Sequence, residues 1–207
     1  MLTSTPMLTL NRQPIARRSF LLGLISTMVA GPAFALDKAT ATQLVDRLAA
    51  EINRAINFGG SEAKLIRAFE NIFVQYADVN IIARSALGPA ARSASSSELS
   101  AFILAFRGYI ARKYGKRFQE FIGSEIVVKG TKNRGKFFEV EALVRLKGTT
   151  AFEVSFRVSD RSGENLFFDI IIEGISLLSS ERVEIGALLD ARNGNIARLT
   201  RDLVNLG

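Results

Sequence analysis

The chain has 207 residues, a formal net charge of +7, and neither histidine nor cysteine. Those two absences exclude a Ser-His-Asp triad, a Cys-His pair, the usual zinc sites, a histidine-held haem and any disulfide. Carboxylate acid–base chemistry, a Ser-Lys pair or an oxygen-ligand metal site are what remain.

Residues 1–35 read as a cleaved export signal rather than as part of a fold. Arg12, Arg17 and Arg18 give a basic start, and no acid precedes Asp37. Phe20 to Val29 is an apolar run of signal-core length, too short for a membrane span. Ala33-Phe34-Ala35 is a small-x-small cleavage site. Arg17-Arg18-Ser19-Phe20-Leu21 fits a twin-arginine signal, with a general secretory signal carrying two arginines as the alternative. Cleavage leaves residues 36–207 as a single domain. It also lowers the formal charge to +4, because three arginines and no acids leave with the signal. The remaining basic residues are interleaved with acids, which argues against nucleic acid as a partner.

The next stretch has helical periodicity. Ala41, Leu44, Val45, Leu48, Ile52 and Ile56 recur at spacings of three and four, and Gly59-Gly60 stops the pattern. Ser61 is the expected cap of a second helix carrying Leu65, Ile66, Phe69, Ile72, Phe73 and Tyr76. Asp78 caps a third, ended by Gly88-Pro89. Ser95 and Glu98 have the spacing of a capping box. The helix they open carries an aromatic stripe: Phe102, Ile103, Phe106, Tyr109, Ile110, Tyr114, Phe118 and Phe121.

Four alternating segments follow: Ser124–Thr131, Lys136–Leu146, Thr150–Asp160 and Glu164–Glu173. Period-two alternation predicts strands, with Ile126, Val128, Phe138, Val140, Ala142, Val144, Phe152, Val154, Phe156, Phe168, Ile170 and Ile172 on one face. Asn133-Arg134-Gly135, Lys147-Gly148 and Ser162-Gly163 are hairpin turns. Helical pattern returns around Arg182–Leu189 and from Asn195 to Val204. The expected class is α+β: a bent four-stranded antiparallel sheet with several helices packed on one face, enclosing an apolar cavity.

The candidate cavity wall is that sheet face together with Phe102, Phe106 and Tyr109 of the aromatic stripe. The simplest alternative is that both surfaces are ordinary core. Arg112, Lys113, Lys116 and Arg117, with Arg182, are the candidate rim for a head group or an acidic partner; a solvated helix face is the plainer reading. Asp169 and Glu173 lie on the polar side of one strand and are expected to answer Arg145 and Arg157 across the sheet. No metal site and no cofactor are expected. Gly59-Gly60 follows a helix rather than a strand and lacks phosphate-loop spacing.

Two blocks resemble the MlaC, or toluene-tolerance, family of periplasmic phospholipid carriers of the Mla pathway. The first is Tyr76-Ala77-Asp78-Val79 with Ile82-Ala83-Arg84-Ser85-Ala86-Leu87-Gly88, then Phe102, Ala105-Phe106-Arg107 and Tyr114. The second is Val158-Ser159-Asp160-Arg161-Ser162-Gly163, then Asp169 through Leu177, then Arg182. The chain departs from the family at Ala91 or a neighbour and at Leu166, where tryptophans are usual, and at Glu181, where an aromatic is. The resemblance implies a non-enzymatic periplasmic carrier. It would hold phospholipid acyl chains in the cavity and shuttle between an outer-membrane lipoprotein complex and an inner-membrane ABC transporter complex. Two rivals stand beside it: an enzyme with a small apolar pocket and a carboxylate base, and an assembly protein without a ligand.

Overall fold

A computed structural model describes Met1 and residues 36–207 except Gly59, Ile122 and Lys147; the side chains of Phe58, Phe118 and Gln119 are also outside the described set. The expected signal segment, residues 1–35, therefore lies outside the described residues apart from Met1, as do Gly59 of the first helix stop and Lys147 of the second hairpin turn.

Helices come first: α1 (Lys38–Phe58), α2 (Glu62–Tyr76), α3 (Val79–Leu87), α4 (Ala90–Ser93) and α5 (Ser96–Gly115), with a 3-10 segment over Lys116–Phe121. Strands β1 (Glu125–Asn133), β2 (Phe138–Arg145), β3 (Phe152–Ser159), β4 (Leu166–Ile172) and β5 (Ile175–Ser176) follow, then α6 (Leu177–Asp190) and α7 (Ile196–Leu203). The helix starts follow side-chain chemistry. Asp78 accepts from the Ile81 amide at 3.0 Å, and Ser95 and Glu98 form a full capping box that satisfies two otherwise orphaned donors. Ser61 precedes α2 as expected, but its side chain makes no capping bond.

The strands form one antiparallel sheet in sequence order, β1-β2-β3-β4-β5. Tight turns make this order possible. At the β4–β5 turn both Glu173 and Gly174 have positive φ, the backbone of a two-residue hairpin that keeps the strands' twist. That turn adds the fifth strand to the four expected, because Ile175-Ser176 folds back on Ile171 and Ile172. The opposite end of β4 is met by the chain after α2: Ala77 bridges Phe167, and the Asp78 amide donates to the Phe167 carbonyl at 2.8 Å.

Two bulges change the expected register. In β1 the pairing slips between Val128 and Gly130, which brings Thr131 opposite Val140 on the inner face. Thr131 is buried there, and its hydroxyl bonds that of Thr42 on α1 at 2.6 Å. The inner face thus carries a polar side chain, with a partner. In β4 the slip lies opposite Arg157 and Val158, so Phe167 and not Phe168 stands across from Val158. Phe167 is buried and meets Phe156 edge-on, whereas Phe168 is half-buried and packs edge-on against Phe137. The strict alternation Leu166, Phe168, Ile170 is corrected accordingly: an inserted residue reverses the faces on either side of it.

Helix α1 lies along β1 and β2, while α3 and α6 approach β4; α5 packs on α2, α3 and α7. At the α2–α5 crossing a Cβ on Gly115 would come within 2.8 Å of the Ile66 backbone, so only glycine permits that approach. No described helix is long and apolar enough to cross a membrane.

Candidate functional site: an apolar seam and a polar clasp

The centre of the sheet face and the α5 stripe share one hydrophobic core. Phe102, Phe106, Val140 and Val158 are fully buried, and Tyr109, Ala142, Val144, Val154 and Phe156 nearly so. Ile126, Val128, Phe138, Phe152, Ile170 and Ile172 flank them as half-buried side chains packed against the same cluster. Phe102 stacks on Phe106 with ring centroids 5.8 Å apart, and Phe106 meets Tyr109 at 6.2 Å. This shared apolar cluster is the seam; α5 itself packs chiefly on α2, α3 and α7, and α1 covers β1 and β2. Two surface depressions among the described residues, one lined by Arg84, Arg92 and Leu99 and one by Val74, Arg107 and Leu166, lie elsewhere.

The candidate rim does not form one patch. Lys113 reaches into the α5–α6 junction, where its ammonium bonds Glu181 at 2.7 Å and Glu184 at 2.5 Å. Tyr109 donates to Glu184 at 2.6 Å and Tyr114 to Glu181 at 2.5 Å. These five side chains make a clasp holding the end of α5 to the start of α6. Burial, reinforced by the neighbouring carboxylates, holds both phenols above their ordinary range. Burial works to lower Lys113, but its bonds to Glu181 and Glu184 outweigh it and the ammonium is held higher than usual. Burial likewise opposes ionisation of Glu184, and the bonds from Lys113 and Tyr109 prevail, so its carboxyl lies below the usual range.

The other rim candidates scatter. Arg112 donates to the carbonyls of Leu206 at 2.9 Å and Leu203 at 2.5 Å, closing the C-terminal end of α7. Lys116 donates to the Gly207 carbonyl at 2.8 Å. Arg117 is exposed, and Arg182 lies over Gly88 at the end of α3.

The acids in reach of the core are engaged. Asp169, which is buried, accepts from Arg157 at 3.2 Å, the Ser176 hydroxyl at 2.8 Å and the Leu178 amide at 3.1 Å, so it fastens β4 to the first turn of α6. The expected pairing of Asp169 with Arg157 is present, while Arg145 pairs with Glu125 instead of an acid of β4. Asp78 caps α3. Glu181 keeps one oxygen, Oε2, buried without a partner among the described residues. Sequence reasoning missed Glu181 and Glu184 as partners of Lys113. Their spacing of three on one helix was the available signal, but nothing local ties it to a lysine 68 residues away.

None of the curated proteins searched matches the chain. Among solved structures that match is the phospholipid-binding protein from Ralstonia solanacearum in complex with a phospholipid. It has a TM-score of 0.69 and 17% identity, over 79% of this chain and 94% of that one. At that identity the likeness is one of fold. The family described as MlaC protein matches residues 38–205, nearly all of the described chain, and the protein belongs to the MlaC family.

Proposed function

We propose that this protein is a periplasmic phospholipid carrier. It takes acyl chains between the β2–β3 face and α5, leaves the head group in water, and passes lipid between an outer-membrane lipoprotein complex and an inner-membrane ABC transporter complex. The observation that carries the reading is the seam itself: a wall of Phe, Val and Ala without a free carboxylate, in a chain of the MlaC family whose fold recurs in a protein holding a phospholipid.

The energetics fit a carrier. A two-chain lipid exposes roughly thirty methylenes, each worth about 0.8 kcal/mol against water. A bilayer already hides them, so a carrier competes only by hiding nearly all of them in turn. Unpaired polar groups in the wall would penalise bound lipid. Thr131 does not, because Thr42 satisfies it. Dispersion is non-directional, so discrimination among acyl chains is expected to be weak. The enzyme reading needs a carboxylate free to accept a proton from a bound substrate. Among the described residues the buried acids are Asp78, Asp169 and Glu181; donors of the fold hold Asp78 and Asp169, and Glu181 is tied through Oε1 to Lys113 and Tyr114 while its Oε2 has no partner.

The test is organic extraction of protein purified without harsh detergent, followed by lipid mass spectrometry and a vesicle-to-vesicle transfer assay. Near-stoichiometric phospholipid and measurable transfer are expected. No extractable lipid together with no uptake from vesicles would overturn the reading.

A further inference from the structure

We propose that the depression between α3, α4 and the first turn of α5 is a phosphate-binding site gripped by Arg84, Arg92 and Arg182. Arg84 and Arg92 line it together with Ser85, Gly88, Ser96 and Leu99, and its volume is about 480 Å³, ample for a phosphate group. Arg182 reaches in from α6: its Nε and one terminal nitrogen lie 3.7 Å from where a Cβ on Gly88 would stand. Gly88, with φ of 65°, supplies the sharp end of α3 that leaves this space open.

The three guanidiniums meet at one depression without a counter-charge. On the sheet and along α5, arginines are occupied: Arg134 and Arg157 by Glu139, Arg145 by Glu125, Arg107 by Glu70, Arg112 by carbonyls. Around Gly88, the side chains of Arg84, Arg92 and Arg182 have no ion-pair or hydrogen-bond partner among the described residues, and no carboxylate lines the depression. Gathering like charges without a counter-charge is unfavourable, and an oxyanion relieves it. The guanidinium fork matches phosphate oxygens two at a time, and the Ser85 and Ser96 hydroxyls are further donors at the same wall. Leu99 gives the floor an apolar surface that excludes water from one side.

The inference rests on these charges and not on the lipid seam. The phosphate comes either free from solution or on a phospholipid at a membrane surface, and the experiment separates the two. Inorganic phosphate is titrated into the full protein at low salt, followed by 31P NMR. Co-sedimentation is measured with phosphatidylcholine vesicles and with vesicles also containing phosphatidylglycerol. Arg84→Glu/Arg92→Glu is compared with Arg161→Glu/Arg198→Glu, an equal change of charge at exposed arginines elsewhere. Saturable phosphate binding, weakened about tenfold or more by the Arg84/Arg92 variant and not by the Arg161/Arg198 variant, supports the site and assigns it to free phosphate. Sedimentation with phosphatidylglycerol vesicles, lost only in the Arg84/Arg92 variant, supports it and assigns it to the membrane. Equal behaviour of the two double variants, binding of polyglutamate but not of either phosphate probe, or no binding at all overturns it. Wild-type protein that copurifies with lipid but binds neither probe overturns the phosphate site and leaves the carrier reading standing; protein that binds phosphate but carries no lipid does the reverse.

Discussion

One helix serves two regions built on opposite principles. Toward its middle, α5 offers Phe102 and Phe106 to a seam held only by dispersion and exclusion of water. One or two turns later it offers Tyr109, Lys113 and Tyr114 to Glu181 and Glu184 through bonds of fixed length and direction. Apolar contact can be exchanged for other apolar contact at little cost. The clasp cannot exchange partners without stranding a charge that is largely buried. If lipid enters between α5 and the sheet as proposed, it would replace seam contacts with equivalent ones, while the clasp and Arg112 keep α5 fixed to α6 and α7. On this reading the seam opens and the clasp is what it opens against.

The largest expected effect is in the seam. Phe106→Ala should destabilise the lipid-free protein by about 3–5 kcal/mol, the loss of a fully buried ring plus the cavity left behind. Lipid-loaded protein should lose clearly less, because acyl chain fills the space. Urea unfolding before and after delipidation reads the difference; equal losses would make the seam a solid core.

Next comes the clasp. Lys113→Met leaves Glu181, only 3% exposed, with Tyr114 but without its cation. The expected cost is about 3 kcal/mol, the lower end for breaking a buried pair because Lys113 is itself partly exposed. The double variant Lys113→Met/Glu181→Leu should recover most of it, and a double-mutant cycle in urea measures the coupling. A loss close to zero for Lys113→Met would return this lysine to the solvated rim.

Val140→Trp tests whether the two regions are separable. Val140 is fully buried at the centre of the sheet face. Overpacking should lower stability by about 1–3 kcal/mol. Extractable lipid should fall far below that of the wild type, while Lys113→Met should leave lipid content near normal. Normal lipid in the Trp variant would place the acyl chains elsewhere.

These expectations differ from what the sequence suggests, and the reason is distance along the chain. Caps, hairpin turns and the alternation of β2 and β3 are local patterns, and the structure matches them: Ser95 with Glu98, Gly135 at its turn, Val140 opposite Phe156 in a register without slips. Bulges are poorly signalled. Leu166-Phe167-Phe168 is apolar throughout, so alternation there has no polar residue to mark the phase, and the face is misassigned by one position. The rim residues diverge for another reason. Arg112, Lys113, Lys116 and Arg117 are neighbours in sequence, but the partners of the first three lie on α6 and at the chain end. The carbonyls of Leu203 and Leu206 that hold Arg112 are 91 and 94 residues away. Arg84 and Arg92 sit within or beside the block that resembles the family, yet only the folded end of α3 brings Arg182 to them.

The smallest effect is a pH signature confined to the clasp. The Glu184 carboxyl lies below its ordinary value of 4.5 because Lys113 and Tyr109 bond its charged form more strongly than burial opposes it. A depressed carboxyl stabilises the fold above its unfolded value, and that contribution is lost as pH falls through the folded value. Glu184→Gln removes the charge while keeping the shape, so the variant should be less stable than wild type at pH 7. Glu184 is 47% exposed, which limits the expected difference to about 0.5 kcal/mol after solvent screening. The difference should persist down to about pH 5 and shrink as pH falls below 4.5, whereas the cost of Val140→Trp should show no such shrinkage. Thermal midpoints of the three proteins from pH 7 to pH 3 make the comparison. A Glu184→Gln difference that stays constant through pH 4 would mean the carboxylate's charge contributes nothing to the clasp. Lys113 would then be held by Glu181 alone.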